Sequence, residues 1–127
     1  MFGTIAIVSV GGALGAVARY GVNVATVHLI GTGFPWSTLI VNILGSFLMG
    51  LMIAKFSQMN AVSHELRMFC MTGFLGAFTT FSTFSLDFVT MWERGEMLQA
   101  MIYMLASVVF SVLALFLALW IMRGITP

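Results

Sequence analysis

Five hydroxyls and two phenylalanines share seven positions in TTFSTFS, Thr79 to Ser85. None of these side chains is a strong acid, base or nucleophile at neutral pH. What they offer is hydrogen bonding and ring electrostatics. A hydroxyl donates to an anion that has shed its water, and an aromatic edge is the positive end of the ring quadrupole. Phe81 and Phe84 lie one helical step apart, on a face that also carries Phe74, Phe78 and Phe88. Packing accounts for Phe74 and Phe88. Phe81 and Phe84, flanked by Ser82 and Thr83, also suit a small dehydrated anion, with no fixed cation beside them to trap it.

Three other places carry polar chemistry in apolar surroundings. Asn42, in STLIVNILGS, has an amide that either joins helices or lines a pathway, where its two N–H donors suit an anion. Tyr103, Ser107 and Ser111 fall at i, i+4 and i+8 and form one row on a helical face. That row is either a ladder of donors or a set of hydroxyls bonded to their own backbone. The row stops at Leu115. Arg19 closes an apolar run and is either an interfacial anchor or a cation at a water-filled mouth that concentrates anions.

These residues must be positioned by membrane-spanning elements. The chain has 127 residues, 61% hydrophobic and 7% charged, whereas a soluble domain carries about 25% charged residues. A helix needs ~20 apolar residues to cross the hydrocarbon core. Four such spans are expected, at about 2–29, 35–56, 65–92 and 97–123, which use up the chain as a single domain. Gly31, Gly33 and Pro35 mark the first turn, SQMNAVS the second loop and ERGE the third, with Ser63 a candidate helix cap. Loops this short make neighbouring spans antiparallel. The first run lacks a basic leader and is longer than a signal-peptide core, so it is read as a mature span. Cys70 stands alone. A net charge of +1 with no basic run gives no footing for nucleic acid.

Small residues in the first two spans (Gly11, Gly12, Gly15, Ala16; Ser46, Gly50) are read as helix-packing surfaces. The third span is unlike the others. Gly73, Gly76 and the hydroxyl cluster predict a break around Gly76 to Thr79, in mid-membrane. Non-helical backbone at that depth must be buried in protein or line a cavity, and its freed carbonyls suit a cation. Lys55, Arg67 and Arg123 collect on one side of the membrane and Arg19 and Arg94 on the other. Three against two is almost no orientation bias. Near-equal insertion both ways, and the small number of helices, favour a homodimer of opposed copies.

The TGFLGAFTTFSTFS block from Thr72 to Ser85, STLIVN ending at Asn42, GGALGAVARY around Arg19 and the Tyr103, Ser107, Ser111 row together resemble the Fluc-type (CrcB) fluoride channels of microorganisms, over all four spans. The resemblance implies an all-α, antiparallel dual-topology homodimer with two fluoride pores, in a bacterial plasma membrane (the inner membrane if Gram-negative). It implies that fluoride rests against Phe81 and Phe84, that Asn42 is the pore amide, and that Ser82 and Thr83 supply hydroxyls nearby. Tyr103, Ser107 and Ser111 would be the polar track and Arg19 the vestibule cation. Backbone carbonyls of Gly76 and Thr79 from both subunits would hold a structural Na+. Ala77 and Asp87 depart from the family's commoner glycine and glutamate, and Leu115 stands where some members continue the polar track with a threonine.

The function implied is passive export of cytoplasmic fluoride, which confers fluoride resistance. The alternative is a small dual-topology multidrug exporter, which needs an intramembrane carboxylate. The first span has none, and Asp87 lies toward one end of the third. An enzyme is not expected: no nucleophile–base set or metal-ligand cluster is visible, and His28 and His64 fall at span ends.

Overall fold

The computed structural model describes residues 1–125. Among them there is no strand, and four helical segments are long and apolar enough to cross a membrane. Helix α1 runs Phe2–Leu29 and α2 runs Trp36–Gln58. The third segment is composite: α3 (His64–Arg67), a π-helical stretch over Met68–Leu75, α4 (Gly76–Phe78) and α5 (Phe81–Glu93). Helix α6 runs Met97–Ile125.

The punctuation follows from local chemistry. After α1, Gly31 adopts φ +100°, and its N–H donates back to Val27 O at 3.1 Å. Such a left-handed turn is cheap only for glycine. Ser63 caps α3 by accepting from Leu66 N–H at 3.1 Å. Gly95, at φ +79°, turns the chain into α6.

Helix α1 packs on the π-helical stretch at backbone distance. A methyl group added to Gly11 would come within 2.6 Å of Phe69 O, and one on Gly15 would overlap the Phe74 carbonyl. One on Gly73 would reach Val8 O at 3.0 Å. Gly11 and Gly15 therefore let two backbones meet. Gly50 does the same for α2 against α6, where an added methyl would stand 2.8 Å from Leu115 O. Ser46, expected to belong with Gly50 in packing, lines a groove as well.

The buried centre comprises Leu39, Met91, Ala100 and Tyr103, with Phe34, Ile43, Phe84, Phe88 and Ala106 packed around it. Val41, Leu75, Phe78 and Ala118 are buried as well, but the outward faces are not: only 11% of the most apolar window of α6 is buried, and Trp120 and Phe116 are exposed. An apolar exterior of this extent matches a hydrocarbon surrounding.

Candidate functional site

The third segment stops being helical at two residues, Thr79 (φ −87°, ψ 158°) and Thr80 (φ −153°, ψ 122°). The sequence placed the irregularity at Gly76 to Thr79. Gly76 is itself helical at φ −61°, ψ −35°, and Thr80 takes its place in the break. Asn42 holds this point from α2. Its Oδ1 accepts from Thr80 N–H at 2.8 Å, and its Nδ2 donates to Thr80 O at 3.0 Å. The two bonds fix the orientation of the amide and use one of its two N–H donors. Of the alternatives open for Asn42, it joins helices, and it lines the groove described below as well.

Several hydroxyls of TTFSTFS are already engaged within the chain, those of Thr79 and Thr80 at the break itself. Thr79 Oγ1 donates to Leu75 O at 2.8 Å, and Ser85 Oγ donates to Phe81 O at 3.0 Å. Thr80 caps α5, its Oγ1 accepting from Thr83 N–H at 3.2 Å, with Ser82 Oγ 3.4 Å away. The Asn42 amide and the Thr80 hydroxyl divert two backbone donors from the helix. In a continuous helix the Gly76 carbonyl would receive Thr80 N–H and the Thr79 carbonyl Thr83 N–H. The first donor goes to Asn42 and the second to Thr80 Oγ1. Both carbonyls thus lose their helical partners. Among the described residues there is no group of three or more His, Cys, Asp or Glu that could hold a metal.

Beside the break is a groove of about 330 Å³ between α2, the break, α5 and α6. It is lined by Asn42, Gly45, Ser46 and Met49 of α2, by Thr79, Thr80, Phe81 and Phe84, and by Ser107, Val108, Ser111 and Leu115 of α6. No charged side chain is among them. Phe81 and Phe84 have ring centroids 5.6 Å apart, tilted by 48°. Phe81 is 78% exposed, on the open side of the groove. The Oγ atoms of Ser107 and Ser111 are buried and have no hydrogen-bond partner. For these two the backbone-bonded reading does not hold. An unpaired buried hydroxyl costs roughly 1–3 kcal/mol, so two of them on residues that line one groove leave hydrogen-bonding capacity that the chain alone does not fill. The N-terminus of α5 borders the same space and adds the positive end of a helix dipole.

Tyr103 leaves its row. Its ring is fully buried, in contact with Phe84 at 5.2 Å and edge-on to Phe34 at 5.6 Å. Its hydroxyl donates to Asp87 Oδ2 at 2.9 Å. The ring carries the hydroxyl past the groove, and Asp87 is a partner that helical spacing does not reveal.

Two further clefts of about 280 Å³ each are found on the Arg19 and Asp87 side. Arg19 lines one with Asn23, Ser37, Thr38, Val41, Thr80 and Thr83. Asp87 and Arg94 line the other, which shares Asn23, Ser37, Thr38 and Thr83 with the first. The structure therefore gathers Asn42, Phe81, Phe84, Ser107 and Ser111 in the groove and sets Thr83 with Arg19. Ser82 is exposed and outside both. Thr80 borders the groove and the Arg19 cleft alike. The sequence passed over Thr80, Gly45 and Ser46 as site residues. The only signals for them were a threonine in capping position before Phe81 and two small residues one turn after Asn42.

A family model described as CrcB-like protein, Camphor Resistance (CrcB), matches residues 6–119. The chain is 49% identical over 125 residues to a protein of Mesorhizobium japonicum named Fluoride-specific ion channel FluC, covering 98% of this chain and 99% of that one. It is similar to proteins of the same name from a Chelativorans species (49% over 119 residues, 94% and 95% covered) and from Agrobacterium fabrum (49% over 121 residues, 95% and 97% covered).

Proposed function

This chain belongs to the CrcB-like family, and from that premise we propose that it is a fluoride-selective ion channel and not an enzyme. The observation that carries the reading is the pair of buried, unpartnered hydroxyls of Ser107 and Ser111, on residues that line one groove together with Asn42, Phe81 and Phe84. The hydroxyls and the second N–H of Asn42 replace the water that fluoride sheds. Ring edges complete the shell without a counter-charge, so the ion binds well enough to enter and weakly enough to leave. Arg19, in the adjoining cleft, raises local anion concentration. No carboxylate lines the groove, and a proton-coupled drug exporter would need one.

Transport is passive. Hydrogen fluoride crosses bilayers as a neutral weak acid and dissociates in the cytoplasm; the trapped anion then leaves down its electrochemical gradient, which confers fluoride resistance. We place the channel in a bacterial plasma membrane. The exposed Phe81 side of the groove is closed by a second copy in the opposite orientation, giving two pores per dimer. The three-to-two split of Lys and Arg across the membrane supports insertion both ways up. The break falls at mid-membrane, and the freed carbonyls of Gly76 and Thr79 in both copies hold Na+ as a structural ion that fixes the two breaks to one another.

The rings test this pathway. Phe81→Ile and Phe84→Ile, each reconstituted in liposomes and read with a fluoride electrode, should release fluoride roughly 2- to 10-fold more slowly than the unsubstituted chain. That range corresponds to the ~0.5–1.5 kcal/mol that aromatic geometry is worth beyond burial. Oligomeric state should be unaltered. Unchanged release in both variants would return the rings to packing.

A further inference from the structure

One turn after Asn42, α2 carries Gly45, which is buried and lines the same groove. A methyl group added there would overlap the Thr79 methyl and stand 3.4 Å from the Phe78 ring. The Thr79 side chain has little freedom to yield. It is branched at Cβ, and its hydroxyl is committed to Leu75 O at 2.8 Å. Swinging the methyl aside would break that bond, and holding the bond would push the break away from α2. Such a shift acts directly on Thr80, the next residue, whose N–H and C=O are gripped by Asn42 at 2.8 and 3.0 Å.

We propose that Gly45 is a positioning residue of the pathway: its missing side chain seats the Thr79 methyl on α2 and so fixes the two-residue break whose second member, Thr80, Asn42 clamps. Asn42 and Gly45, three apart on one helical face, act as a pair. One holds the break by hydrogen bonds and the other by leaving room for it. This rests on the channel reading above, with Gly45 touching no ion itself.

The test is a rescue. Gly45→Ala should release fluoride about tenfold more slowly per folded channel, because overpacking at a well-fitted contact displaces its neighbours. Adding Thr79→Ser removes the methyl while keeping the hydroxyl bond and the carbonyl. The double variant should return to within about threefold of the unsubstituted rate, since contacting residues are not additive. A packing role alone would lower the yield and the unfolding midpoint and leave the rate per folded channel untouched. Equal rates for Gly45→Ala and the unsubstituted chain, or a double variant no faster than Gly45→Ala, would overturn the proposal. If Gly45→Ala is not recovered folded, the double variant decides: recovered and conducting supports the contact, not recovered overturns it. Absence of fluoride release from the unsubstituted chain fails the channel reading itself, whereas normal release that is indifferent to Gly45→Ala fails only this inference.

Discussion

Replacing Asn42 with alanine is expected to reduce fluoride release by about a hundredfold or more and to lower the unfolding midpoint at the same time. The amide is the partner of both backbone groups of Thr80. Thr80 is buried, so water cannot take over its N–H or C=O cheaply. Each group left unmet costs roughly 1–3 kcal/mol. The pair therefore removes a sizeable share of the ~5–15 kcal/mol that holds a typical domain together. Flux suffers beyond stability, because the same break carries Phe81 into the groove and starts α5. Asn42→Asp separates the two effects. Its carboxylate still accepts from Thr80 N–H, yet it gives up the donor to Thr80 O and presents negative charge to the pathway. That variant should fold better than Asn42→Ala and release no more fluoride. If Asn42→Ala conducts like the unsubstituted chain, the clamp is dispensable.

Ser107→Ala combined with Ser111→Ala is expected to separate stability from transport in the opposite sense. Each hydroxyl is buried without a partner, so its removal relieves a desolvation cost and forfeits no bond within the chain. The unfolding midpoint should hold or rise. Fluoride release should fall about a hundredfold or more, because a hydrogen bond to a charged partner is worth ~1.5–3 kcal/mol and two are lost. Thermal unfolding in detergent and electrode traces from liposomes, taken on the same preparation, check both halves. A double variant that is less stable and equally conductive would make these serines packing residues. The opposed signs matter: few structural substitutions improve stability while disabling transport, so the pair identifies hydroxyls kept for a ligand.

The four apolar helices were legible in the sequence because charged residues, glycines and prolines punctuate runs long enough to span. The irregularity of the third was legible too, since five hydroxyls next to two glycines offer the backbone competing bonds. How those hydroxyls are used was not. Ser85 and Ser107 look alike in sequence, each a serine amid apolar residues, yet Ser85 bonds back to Phe81 O and Ser107 does not. Helical spacing permits that bond in both cases. Which one forms depends on what packs beside it, and the wall opposite Ser107 comes from α2. The Asn42–Thr80 pair is separated by 38 positions, and nothing local to either residue points to the other. The π-helical winding of Met68–Leu75 likewise has no composition signature. It occurs where α1 comes within backbone distance through Gly11 and Gly15, and that approach belongs to the packed state. Tyr103 shows the limit of face arithmetic, since a long side chain starts in the row and ends elsewhere. Gly45 was overlooked for a simpler reason: a glycine in an apolar helix reads as a packing surface until the residue opposite it is known.

The most direct measurement is anion release from liposomes loaded with equal fluoride and chloride and containing the purified, unsubstituted chain, with both ions followed by selective electrodes. The account predicts rapid fluoride release on dissipating the membrane potential, with chloride retained at the level of protein-free liposomes. Retention of fluoride, or release of chloride alongside it at a comparable rate, would contradict it.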